Sequence, residues 1–186
     1  MNANGAAYAA LAVAAMLMPV SAAAEIGGAC GNAVGTFLTR NALDNNGRTG
    51  TSASLLILTN GGHVLRFDSD ETGAAMDSRP FGNSAGTWRC DGADEDGAVR
   101  LTATMLDFTY PDAEGDEGQI ARIDMTGHFL PETETLELAG KLGFLPLSAE
   151  GQAADALTHA PSLTTVTIRG KRIELPPLPE PESTDD

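Results

Sequence analysis

The chain has 186 residues, with 26 acidic against 11 basic side chains and a formal charge of −15. Its length suits a single domain with a sizeable core. So acidic a balance opposes binding to nucleic acid and to anionic membrane surfaces, and neither is expected as a partner.

The first segment sets the expected address. Ala6 to Val20 is an apolar run rich in Ala, Leu and Met, too short to cross a bilayer as a helix. Pro19 and Ser21 break it, and Ala22-Ala23-Ala24 supplies a small-residue cleavage pattern. Residues 1–24 therefore read as a cleaved export signal, with Glu25 opening a periplasmic or secreted chain. Cys30 and Cys90 are the two cysteines, and in an exported protein they predict one disulfide. The rival reading, a metal-binding thiol pair, finds no third ligand nearby.

After the signal, Ala33 to Thr39 reads as a first strand. Asn45-Asn46-Gly47 is a strong turn signal, because Asn and Gly tolerate positive φ. A second strand runs from Gly50 to Leu58, and Asn60-Gly61-Gly62 turns the chain into a third, His63 to Phe67, where Leu65 and Phe67 share a face. Asp68 to Pro80 reads as a polar loop, Gly86 to Cys90 as a fourth strand and Asp91 to Gly97 as an acidic turn. In the fifth strand, Val99 to Tyr110, the apolar set is Val99, Leu101, Ala103 and Met105, then changes phase to Leu106, Phe108 and Tyr110. Such a change predicts a β-bulge; burial on both faces is the alternative.

The clearest alternation follows. Ala121, Ile123, Met125, Gly127 and Phe129 alternate with Arg122, Asp124, Thr126 and His128. Leu136, Leu138, Gly140, Leu142 and Phe144 do the same against Glu137, Ala139, Lys141 and Gly143. A period of two means strands with one dry and one wet face. The short link Leu130-Pro131-Glu132-Thr133 makes them an antiparallel hairpin. Glu150 to Leu157 has the composition for one or two helical turns, and Leu163 to Leu175 reads as a last strand. Residues 176–186, rich in Pro and acid, cannot join a sheet and are expected to be extended or disordered. The fold expected over residues 25–175 is thus all-β: an antiparallel up-and-down meander of about eight strands closed into a barrel, which abolishes sheet edges. A β-sandwich is the rival.

Gly86-Thr87-Trp88 resembles the Gly-x-Trp of lipocalins and the wider calycin group. With Arg89-Cys90 and the Val99–Tyr110 strand, it also resembles small secreted bacterial barrels of the allene-oxide-cyclase type. The resemblance covers roughly residues 33–146 and implies an antiparallel barrel that carries a small apolar ligand. It departs from the lipocalin pattern in placing the motif after three strands rather than on the first, and the later Thr-Asp-Tyr-type loop is absent. In calycins a basic residue of the last strand packs over the Trp, a place open here to Arg169 or Arg172.

The remaining patterns carry little chemistry. Asp68 to Gly73 imitates the start of a calcium loop, but position twelve is Arg79 instead of a bidentate Glu. The acidic clusters at Asp91–Asp96 and Asp112–Glu117 read as solvated turns. His63, His128 and His159 share no metal spacing, and no nucleophile elbow or phosphate loop is present, so no cofactor or metal is expected. Ala103, Ala121, Gly127 and Gly140 stand among larger dry-face residues and leave two readings open, a packed core or a narrow apolar cavity. In the second reading Met105, Met125, Phe129, Leu138, Leu142 and Phe144 line the cavity and Trp88 closes one end. The function that follows is an exported barrel binding a small apolar molecule without chemistry. A cyclase or isomerase using Tyr110, His128 and Asp107 is an alternative, and a filled interaction module is another.

Overall fold

The computed structural model describes residues 27–74, 79–111, 117–147 and 163–174. The expected export signal, the helical turns over Glu150–Leu157 and the tail 176–186 lie outside these residues. A 3-10 helix over Gly28–Ala33 leads into eight strands: β1 Gly35–Asn45, β2 Arg48–Leu58, β3 His63–Asp68, β4 Ser84–Ala93, β5 Val99–Phe108, β6 Gln119–Leu130, β7 Thr135–Pro146 and β8 Leu163–Arg172. Each pairs antiparallel with its sequence neighbour, and β8 returns to pair with β1, as at Ile168 opposite Asn41, so the sheet closes into a barrel. The up-and-down barrel expected from the alternation is the fold observed, and the sandwich is not. No helix of the described residues is long and apolar enough to cross a membrane.

Turn chemistry explains the hairpins. Asn46 and Gly47 join β1 to β2 with φ of 53° and 88°, the paired positive values that a two-residue turn matching strand twist demands. Closure demands sharp bends elsewhere. Gly86 lies so close to β5 that a Cβ there would overlap the Thr104 carbonyl, so only glycine lets the strands approach.

Alternate residues of every strand point into the barrel. Phe37, Leu58, Val64, Val99, Phe129 and Leu136 fill its first half, with Met105, Met125, Leu138, Val166 and Ile168 above them. Burial of such side chains contributes about 1.5–3 kcal/mol each. The 3-10 helix caps this half, and the Cys30–Cys90 disulfide, with Cα atoms 5.7 Å apart, pins it to β4. By the chain-entropy relation, a closed loop of this length stabilises by roughly 4 kcal/mol at most.

Three local expectations are corrected. The bulge is not in β5, whose register with β6 runs unbroken from Val99 opposite Phe129 to Phe108 opposite Ile120. The register shift lies in β4, between Cys90 and Gly92. Leu106, Phe108 and Tyr110 change phase because they lie on the outer wall, where Phe108 and Tyr110 are more than half exposed. Asp107 and Thr109 take the inward positions. The first strand begins after Ala33, which belongs to the cap, and continues through Asn45. The acidic turn after the fourth strand is shorter than expected, since β4 runs through Ala93.

Candidate functional site

Among the described residues, the half of the barrel away from the cap holds a cavity of about 280 Å³. Its walls differ in chemistry. Ala121 and Ile123 of β6 and Leu142 and Phe144 of β7 make an apolar wall, with Leu43 beside it. Facing them stand Ser52 of β2 and Arg66 and Asp68 of β3, while Asp107 of β5 adjoins Ala121 at the edge of the apolar wall. Phe81, Thr109 and Thr164 complete the rim.

The polar wall is a connected network. Arg66 pairs with Asp68 through Nη2 and Oδ2, both side chains almost fully buried. The same Oδ2 accepts from Asn41 Nδ2 at 3.0 Å and Ser52 Oγ at 3.1 Å, while Asp68 Oδ1 accepts from the Asp70 N–H at 2.9 Å. Asn41 also donates to Ser54, which in turn bonds Thr39 at 2.7 Å. Asp107 Oδ1 accepts from the Phe108 N–H at 2.6 Å and Oδ2 from Ser84 Oγ at 3.1 Å. Arg66 Nε is buried and has no hydrogen-bond partner.

Burial governs the ionisation of this wall. It pushes the Arg66 guanidinium down from its usual value, against the raising pull of Asp68 and Asp107. It pushes the Asp107 carboxyl up, more than the bonds from Phe108 and Ser84 and the charge of Arg66 pull it down. Both shifts express the cost of charge in a site of low dielectric.

Of the residues the sequence singles out, Leu142 and Phe144 line the cavity. Trp88, Met105, Met125, Phe129 and Leu138 are buried in the core below it. Trp88 stands toward the capped end, where its indole N–H donates to Thr59 O at 2.9 Å. Arg172, rather than Arg169, reaches into that end, and it lies over Phe37 and Phe129. The exposed Arg169 pairs with Glu137 at 3.0 Å.

Tyr110, His128 and Asp107 are not gathered into one site. Asp107 and Tyr110 flank Gly82 at the end of the barrel away from the cap, where a Cβ on that glycine would meet Asp107 Oδ1 at 3.4 Å and the Tyr110 hydroxyl at 3.7 Å. His128 lies on the outer wall, 3.9 Å from Asp94 Oδ2. A shallow groove runs over that outer wall beside Thr102, Thr126, Thr167 and Arg169. Its His128 and Arg169 are solvated, whereas the lining of the cavity includes the buried Arg66, Asp68 and Asp107.

Sequence reasoning missed Asn41, Ser52, Arg66, Asp68 and Ser84. The signal was present in spacing: Val64, Arg66 and Asp68 share one face of β3, as Phe37, Thr39 and Asn41 do on β1. Comparison of the chain with protein-family models, with curated proteins and with solved structures finds no match. The class defined by the fold is an eight-stranded antiparallel closed β-barrel, consistent with a lipocalin-like architecture.

Proposed function

We propose that this chain is an exported binding protein that holds a small, largely apolar molecule in the cavity of its barrel and performs no chemistry on it. The observation that carries the reading is the cavity of about 280 Å³ with its continuous apolar wall of Ala121, Ile123, Leu142 and Phe144. Ligand pockets run from roughly 300 to 1,000 Å³, so this one suits a compact molecule rather than a long acyl chain. A disulfide between Cys30 and Cys90 accords with an oxidising compartment outside the cytosol.

Native mass spectrometry of the protein exported with its own leader tests this. The parent is expected to retain a small non-covalent adduct that Ala121→Trp, which fills the cavity, loses. A clean mass for both, with no shift of the Ile123 and Leu142 methyl resonances on adding millimolar toluene or acetophenone, would sink the proposal.

A further inference from the structure

We infer that the molecule held in this cavity joins a compact apolar body to a single oxygen acceptor, a carbonyl or a carboxylate, and that the Arg66 guanidinium receives that oxygen. The inference rests on the binding role proposed above and names the chemistry of the ligand.

A carboxylate offers about four lone-pair sites, and a guanidinium five N–H donors. Asp68 already accepts on both oxygens: Arg66, Asn41 and Ser52 all donate to Oδ2, and the Asp70 N–H donates to Oδ1. Both oxygens of Asp107 are also engaged, by Phe108 and Ser84. Arg66 is the opposite case. Only its Nη2 is engaged, by Asp68, and its Nε is buried without a partner. The buried group without a partner is therefore a donor of Arg66, while every oxygen of the two carboxylates already accepts at least one bond. An amine would have to share an oxygen that already accepts, whereas an oxygen acceptor meets a donor that has no partner.

Two features fix the pose. The Asp68 pair immobilises the guanidinium, so its free N–H groups are oriented in advance, and a planar fork suits a planar carbonyl or carboxylate. The apolar body then rests against Ile123, Leu142 and Phe144 on the facing wall.

Four probes sharing one ring separate the cases: toluene, acetophenone, benzoate and benzylamine. Binding is followed through the Ile123 and Leu142 methyl resonances and the Nε–H resonance of Arg66. Acetophenone, benzoate or both are expected to bind about tenfold tighter than toluene and benzylamine, the gain of one hydrogen bond to a charged group. They should also move the Arg66 Nε–H signal, which toluene leaves in place. A preference for acetophenone alone identifies a neutral carbonyl, and for benzoate a carboxylate. In the double variant Arg66→Met/Asp68→Leu, the advantage of acetophenone and benzoate over toluene should vanish. Equal binding of acetophenone, benzoate and toluene to the parent, or tightest binding of benzylamine, overturns the inference and leaves the binding role standing. No response to any of the four overturns both. Should the double variant fail to fold, the Arg66 signal in the parent still decides.

Discussion

The guanidinium of Arg172 on β8 lies 4.8 Å from the centre of the Phe129 ring on β6, and 5.2 Å from that of Phe37 on β1. It donates to the backbone carbonyls of Asn32 and Val34. One side chain at the end of the last strand therefore ties the cap to the core that it covers.

Replacing Arg172 by Met should cost about 1–3 kcal/mol, the range for a desolvated cation–π contact together with hydrogen bonds from a charged donor. Urea denaturation reads the loss. Amide exchange should accelerate around residues 28–35 while the β6–β7 ladder keeps its protection. A variant with parental stability and unchanged exchange in the cap would show that the contact holds nothing.

Removing one partner of the buried pair is expected to be far worse than removing both. Asp68→Ala leaves the Arg66 charge buried and unpaired, a loss of about 3–5 kcal/mol. The double change Arg66→Met/Asp68→Leu removes both charges and should recover most of that loss, short of the parent by about 1–3 kcal/mol for the Asn41, Ser52 and Asp70 donors it leaves without Asp68. Chemical denaturation of the two variants beside the parent measures the difference. Equal losses in both would mean that the ion pair itself, rather than the orphaned charge, governs stability.

Asp107 predicts a pH dependence with a definite sign. Burial raises its carboxyl above the ordinary carboxylate value, so the folded chain keeps this proton to higher pH than the unfolded chain does. The stability tied to the neutral form is complete below the unfolded pKa, near 3.9, and is lost as pH rises through the folded value. Asp107→Asn, which keeps an oxygen for the Phe108 N–H, should match the parent in acid and unfold at a higher temperature near neutrality. Melting curves across that range check it. A variant less stable than the parent at neutral pH would reverse the sign.

The hairpin from β6 to β7 was legible because its inward residues are almost all apolar, so parity alone marked the dry face. The turn at Asn46-Gly47 was legible from backbone chemistry. The cavity was not, and β3 shows why. Its most apolar residues, Leu65 and Phe67, face outward at 36% and 41% exposure, while Arg66 and Asp68 are buried. Alternation reveals which residues share a face. It cannot tell which face is inside when an internal hydrogen-bond network makes the buried positions polar. The same inversion places Asp107 inside and Phe108 outside, and in the sequence the resulting change of phase imitates a bulge. Side chains that satisfy one another across β1, β2 and β3 leave no mark in any single strand.

The cap stapled by Cys30–Cys90 makes the barrel a blind vessel with a corked base. Among the described residues the way in is the rim lined by Asn45, Arg48, Arg79 and Phe81. Arrival and departure then share one doorway, and a guest must back out past the groups it met on the way in. Residence time becomes a property of that doorway as much as of the grip inside. Charge changes at Arg48 or Arg79 would therefore alter how fast the vessel fills and empties, even where the depth of the well stays the same.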